Sequence, residues 1–188
     1  MSRSMPEATV FLDRDGTINE DVGYLSDPEA LVMIEGAAKA IRLLNESGLK
    51  VIVISNQSGV GRGYYTDAHV DAVNERLKEY LGKEGAAVDA IYYCNHHPDV
   101  DCNCRKPRTG LAELAAIEHK LNHDRAYVVG DKSCDVSLAK NLGAKGILVL
   151  TGKGANEIEC MEEAPDFVAK DIFEAVAWIL ADLERAPG

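Results

Sequence analysis

Short, continuously apolar runs alternate along this chain with stretches whose apolar residues recur every three or four positions. TVFL before Asp13 is the first run, followed by KVIVIS (50–55), VDAIYYC (88–94), AYVVGD (126–131) and GILVLTG (146–152). Their β-branched and aromatic content predicts strands, and apolarity on every position predicts strands covered on both faces. Between Gly36 and Ser47 the apolar positions 37, 40, 41 and 44 predict a helix that Gly48 stops. Thr66 and Asp67 cap a second helix through about Gly82, with Val70, Val73, Leu77 and Leu81 on one face. GLAELAAIEHKL, CDVSLAKNLG and IFEAVAWILADLE give three more. Strands alternating with helices predict an α/β fold, a Rossmann-like three-layer sandwich around a mostly parallel sheet.

Polar motifs stand where the strands end: Asp13 after the first, Ser55 after the second, Asp131 after the fourth. In an open parallel sheet ligands bind outside the carboxyl ends of the strands, so these distant residues are expected to meet along one edge.

DRDGT (13–17) places two carboxylates two positions apart just after a strand. A carboxylate is ionised at neutral pH, so Asp13 can attack phosphorus with no base to activate it. A bound Mg²⁺ would relieve its repulsion with phosphate. Asp15 can then protonate the leaving oxygen and later deprotonate water. The bland alternative is a surface turn. SNQSG (55–59) offers a hydroxyl, amides and backbone N–H groups for phosphate oxygens, or a mere polar turn. GDKSCD (130–135) supplies Asp131, a further Mg²⁺ ligand, while Asp135 or Ser133 suits a helix cap.

Composition narrows the picture. At 188 residues the chain suits one domain (1–188, core about 8–184), and no segment approaches the ~20 apolar residues of a membrane helix. The opening MSRSMPEATVFLD has no apolar signal core, so a soluble cytoplasmic protein is expected. A formal net charge of −11 argues against nucleic acid but not against a small anion in a local cationic pocket. Five cysteines favour metal over disulfides in a reducing cytosol. In CNHHPDVDCNCRKP (94–107), Cys94, His96 or His97, Cys102 and Cys104 form a tetrahedral Zn²⁺ set with no open position, a structural clip. A loop this polar cannot order itself by burying apolar surface. Zinc would fix the chain as it enters Arg105 and Lys106.

The order Asp-x-Asp-Gly-Thr, Ser-Asn, Lys, Gly-Asp-x-x-x-Asp, over about residues 8–150, resembles the haloacid dehalogenase superfamily. The resemblance implies Asp13 as nucleophile, Asp15 as acid/base, Ser55 on phosphate, Lys106 as its neutralising cation, and Mg²⁺ on Asp13, Asp15 and Asp131. The spans between these motifs are used up by the helices and strands already named, so no cap domain is expected. FLDRDGTINEDVGY, SNQSGVGRGYYT, IYYCNHHP, CNCRKPRTG and VVGDKSCD narrow the likeness to the zinc-clipped heptose 1,7-bisphosphate 7-phosphatase family. That implies removal of the 7-phosphate of D-glycero-D-manno-heptose 1,7-bisphosphate through an aspartyl-phosphate, on the way to nucleotide-activated heptose. It also implies His96 as the zinc ligand and a substrate side made of Arg14, Asp21, Val22, Gly23, Tyr24, Ser55, Asn56, Gln57, Ser58, Arg105, Lys106 and Lys132. One departure is the short segment PDVD before Cys102.

The nearest rival is a histidinol-phosphate phosphatase, which shares the Asp pair and the clip; NEDVGY, GVGRGYYT and Arg105 favour the bisphosphate. A nucleic-acid end-processing phosphatase lacks its basic aromatic groove here. An inactive zinc-stabilised binding module would leave three strand-end motifs unexplained. A monomer is expected. Cys134 reads as a packed thiol, Cys160 as incidental, and His69, His119 and His123 as solvent-facing. Trp178 reads as core, EIECMEEAPD as a solvated acidic surface, and RAPG as a frayed tail.

Overall fold

In the computed structural model, which describes residues 8–121 and 125–185, the apolar runs form a sheet of six parallel strands. They are β1 (Thr9–Leu12), β2 (Lys50–Asn56), β3 (Ala90–Cys94), β4 (Ala126–Gly130), β5 (Lys145–Val149) and β6 (Phe167–Ala169), in the order β3-β2-β1-β4-β5-β6. The sixth lies behind the acidic segment 157–166 and is too short to show a period. It exists through pairing with β5, Ile147 opposite Phe167 and Val149 opposite Ala169.

The continuous apolarity has a direct cause. Alternate residues of each strand point to opposite faces, and both faces are covered. Val10, Leu12, Val51, Val53, Val129 and Ile147 pack beneath α1 (Ala37–Glu46), α3 (Asp67–Lys83) and α7 (Ile172–Arg185). Phe11, Ile52, Ile54 and Val128 pack beneath α4 (Gly110–His119) and α5 (Ser133–Leu142). The sequence-predicted helix positions Ala37, Ala40, Ile41 and Leu44, and Val70, Val73, Leu77 and Leu81, are all buried. Each buried Val, Leu or Ile side chain contributes about 2 kcal/mol, against about 0–1 kcal/mol for an exposed ion pair. The two apolar layers therefore hold the frame.

The crossover from β1 to β2 contains a 3-10 turn (Pro28–Ala30) and α1, and that from β2 to β3 contains the one-turn α2 (Ser58–Gly61) and α3. Neither has room for a separate cap. Another one-turn helix, α6 (Gly154–Glu157), follows β5. No helix among the described residues is long and apolar enough to cross a membrane.

Trp178 is only partly buried and stacks on Phe167 at 5.1 Å, closing the β6 edge. His69 is exposed and completes the cap of α3 with Thr66. His119, expected in solvent, is half-buried and lies 3.1 Å from the Tyr92 hydroxyl. His123 and residues 186–188 of the expected tail lie outside the described residues.

Candidate active site

β1 is flanked by β2 on one side and β4 on the other, so the order in which strands are added reverses beside it while all stay parallel. The strand ends there open into a polar cleft of about 300 Å³. A larger recess of about 1050 Å³ lies elsewhere, lined by residues such as Val32, Ala38 and Phe173, but among the described residues its carboxylates form no close cluster. The chemistry belongs to the smaller cleft. Asp13, Asp15, Asp21, Gly23, Tyr24, Ser55, Asn56, Gln57, Ser58, Arg105, Lys106 and Lys132 line it, joined by Tyr65, Cys134 and Lys153. Val22 is largely exposed and lies outside this lining.

Asp13 is 5% exposed and its Oδ1 lies 2.9 Å from Lys106 Nζ. Lys106 Nζ also meets Asp135 Oδ1 at 2.6 Å and donates to the Ile54 carbonyl at 2.7 Å. Burial opposes charge on all three groups, and the outcome depends on their neighbours. Against burial, Lys106 and Lys132 hold Asp13 below the ordinary carboxylate range. Against burial, Asp13 and Asp135 hold the Lys106 proton well above the usual lysine value. Asp13 is thus an ionised, desolvated carboxylate, the state a nucleophile toward phosphorus needs.

Asp131 is fully buried, and burial followed by repulsion from Asp13 pushes it up to about 7. Asp135 is raised to about 6 by burial, with Lys106 opposing. Oxygens of Asp13, Asp131 and Asp135 lie within 4.8 Å of one another. Asp131 Oδ2 accepts from the Lys153 backbone N–H at 2.8 Å, while its Oδ1 has no hydrogen-bond partner. Three carboxylates against the two ammonium groups of Lys106 and Lys132, with one buried oxygen making no hydrogen bond, fit a hard divalent cation.

Asp15 was expected among the Mg²⁺ ligands; its carboxylate is engaged by neighbouring side chains, which leaves its main chain for that part. The carboxylate accepts from Arg14 Nη2 at 2.9 and 3.0 Å, Asn19 Nδ2 at 2.9 Å and Gln57 Nε2 at 2.7 Å. Its main-chain oxygen is the atom turned toward the cluster, 3.4 Å from Lys132 Nζ. Arg14, expected on the substrate side, is 0% exposed. Asn74 of α3 takes its Nη1 at 2.8 Å, so the guanidinium reaches the cleft only by orienting Asp15.

Several expected substrate ligands also serve as struts. Asn56 clamps the Lys106 backbone, accepting from its N–H at 3.0 Å and donating to its carbonyl at 3.2 Å. Gln57 bridges Asp15 to Ser55 Oγ (2.8 Å), and Tyr65 Oη donates to Gln57 Oε1 at 3.1 Å. Arg105 Nη1, by contrast, is buried without a partner, leaving a guanidinium ready for an anion. Burial pushes the Cys134 thiol up to about 12, so it is no nucleophile at neutral pH.

Asp135 plays the helix-cap part as well, accepting from the Lys132 N–H at 3.1 Å. Tyr65 and Lys153 escaped the sequence reading. Lys153 follows a strand end, TGKG after β5, which is the signal that would have found it. Tyr65 carries no such signal, because its role depends on packing against α2.

Gly16 holds Asp131 in place by having no side chain. Its φ is +89°, and a Cβ there would stand 2.2 Å from Asp131 Oδ2. Gly16→Ala is expected to combine backbone strain with a displaced carboxylate. A shift near 1 Å costs about 10²-fold in rate. Steady-state kinetics and a thermal midpoint check this; wild-type turnover would mean that the placement of Asp131 is immaterial.

The second cluster is the loop after β3. Cys94 Sγ lies 3.7 Å from Cys102 Sγ and 3.3 Å from Cys104 Sγ. His96 Nδ1 lies 3.6 Å from Cys94 Sγ and 3.2 Å from Cys104 Sγ. A tetrahedral ion with Zn–S of ~2.3 Å and Zn–N of ~2.0 Å sets S···S near ~3.8 Å and S···N near ~3.5 Å. The two separations between Cys94 and its Cys102 and His96 partners match that geometry, and the two to Cys104 Sγ are shorter. His97 is turned away and accepts from the Asp99 N–H at 3.3 Å. The loop is wedged against α2, since a Cβ on Gly61 would stand 2.1 Å from the His97 nitrogen. The clip therefore touches the segment that carries Ser58 and runs directly into Arg105 and Lys106.

Comparison with known proteins agrees with this geometry. A HAD-hydrolase-like family model matches residues 103–175. The D-glycero-D-manno-heptose-1,7-bisphosphate 7-phosphatase of Thermosynechococcus vestitus is 42% identical over 95% of this chain and 98% of its own length. The D-glycero-beta-D-manno-heptose-1,7-bisphosphate 7-phosphatase of Yersinia pestis is 40% identical over 99% of this chain and 97% of its own. Among solved structures, the D,D-heptose 1,7-bisphosphate phosphatase from B. bronchiseptica, complexed with magnesium and phosphate, matches with a TM-score of 0.87. That likeness runs at 30% identity over 93% of this chain and 98% of the other.

Proposed function

The chain belongs to the D-glycero-D-manno-heptose-1,7-bisphosphate 7-phosphatase family, and on that footing we propose that it hydrolyses the 7-phosphate of this sugar bisphosphate. The observation that carries the chemistry is the buried Asp13–Lys106 pair at 2.9 Å in a polar cleft at the strand ends. An Asp13 oxygen forms a bond to phosphorus as the bond from phosphorus to the sugar oxygen breaks, and Asp15 gives that oxygen its proton. Water then attacks the aspartyl-phosphate, losing a proton to Asp15, and releases phosphate and free Asp13. Lys106 and Arg105 balance the charge of the transferring group. The carboxylates of Asp13 and Asp131 and the main-chain oxygen of Asp15 would hold Mg²⁺, whose charge would screen the repulsion between nucleophile and phosphate.

Zinc on Cys94, His96, Cys102 and Cys104 is the assignment their spacing favours, in a structural role with no open position. The size and polarity of the cleft suit a small sugar phosphate. The net charge of −11 disfavours nucleic acid. Hydrolysis at the 7-position leaves a 1-phosphate, the group a nucleotidyltransferase needs to make an activated heptose. Phosphate release with Mg²⁺ from both anomers of the bisphosphate and from histidinol phosphate, side by side, tests the substrate. A preference of at least about 10²-fold for a bisphosphate anomer is expected. Preference for histidinol phosphate would overturn the substrate and keep the mechanism.

A further inference from the structure

Four oxygens surround the Lys132 ammonium. Asp131 Oδ1 lies 3.3 Å away, Asp21 Oδ2 3.4 Å, Asp13 Oδ2 3.8 Å and the Asp15 carbonyl 3.4 Å. Three of the four are atoms of the residues assigned above to Mg²⁺, and the nearest is the buried oxygen that has no hydrogen bond. Lys132 reaches them from the first position before α5, where the Asp135 carboxylate fixes its backbone. Its side chain keeps 28% exposure, so one face of the ammonium opens to the cleft.

We propose that Lys132 is a built-in placeholder for the divalent cation, which displaces the ammonium toward the cleft when it binds. The inference rests on the Mg²⁺ assignment. Bonds of ~2.0–2.1 Å to Mg²⁺ draw the same oxygens inward, and the space then cannot hold a second cation. Like charges repel strongly in a half-buried site, so the lysine leaves as the metal enters. Its exit lies along Asp21, whose other oxygen accepts from the Gly23 N–H at 2.9 Å in the loop that carries Tyr24. The displaced ammonium there faces the cleft that receives the phosphate dianion. Loading the metal and completing the anion pocket thus become one event. Without the metal, the lysine keeps three carboxylates from facing one another unscreened.

The test measures Mg²⁺ affinity by calorimetry in the full chain without substrate, with a thermal midpoint at each metal concentration. Lys132→Met is expected to bind Mg²⁺ about tenfold tighter, within the usual range for coupled sites. Its midpoint falls in the absence of Mg²⁺ and rises more than that of wild type on adding it. Lys132→Arg, which keeps the charge, stays near wild type. Lys153→Met removes a cleft-lining cation outside the ring of oxygens and leaves the affinity within about twofold. An unchanged or weaker affinity in Lys132→Met, or an equal gain in Lys153→Met, overturns the placeholder. If wild type binds no Mg²⁺, the metal assignment fails first; binding that is lost in Asp131→Asn yet indifferent to Lys132→Met overturns the placeholder alone.

Discussion

Asp13→Asn is expected to lower Mg²⁺-dependent phosphate release by on the order of 10⁴-fold or more, with zinc content and fold unchanged. The amide is nearly isosteric but has no anionic oxygen to form the bond to phosphorus. Phosphate monoesters hydrolyse so slowly unaided that other contributions leave almost no measurable rate. Stability is expected to hold for a reason visible in the cluster. Lys106 keeps Asp135 at 2.6 Å and the Ile54 carbonyl at 2.7 Å, so the buried ammonium is not orphaned. Removing one of three crowded carboxylates also relieves Asp131, which burial and then Asp13 push up to about 7. The measurement is phosphate release beside zinc content and a thermal midpoint. Residual turnover above about 1% of wild type would remove Asp13 from the nucleophile's role, and a parallel loss of zinc would make it structural.

The strand ends carry most of what the sequence reading could reach. Asp13, Ser55 and Asp131 each stand at the end of a run whose composition predicts a strand, and parallel strands order their ends along one edge. The clip was legible because cysteine and histidine at that density have few other uses in a polar loop. Other features depend on side chains meeting across many residues, which no local pattern reports. Arg14 stands between two site carboxylates in sequence, yet Asn74, sixty positions on, turns it into the core. Asp15 is named by its motif, but that Arg14, Asn19 and Gln57 hold both of its carboxylate oxygens is not. Tyr65 matters through Gln57 alone, and β6 exists through its pairing with β5.

Cys102→Ser is expected to release zinc and lower the thermal midpoint by about 10 °C, the largest stability change among these variants. Tying Cys94 to Cys104 closes a segment of about ten residues, which by chain entropy alone is worth about 3 kcal/mol. At about 2–4 °C per kcal/mol for a domain this size, that gives the midpoint shift. The core itself survives, because Cys94 alone of the clip is a buried core member, while Cys102 and Cys104 only pack against the margin of the layer under α4 and α5. Activity falls as well, for a different reason than in Asp13→Asn. The freed loop no longer fixes Arg105, whose buried Nη1 has no protein partner to hold it, and KM rises before kcat collapses. Lys106 is better protected, since Asn56 grips its backbone from β2 at 3.0 and 3.2 Å. Added chelator should drive wild type toward the same state, with zinc restoring it, while neither treatment rescues Asp13→Asn. If Cys102→Ser instead keeps its zinc, with an unchanged midpoint, the fourth donor lies outside this set. His97, one residue from His96, would then be the ligand to test.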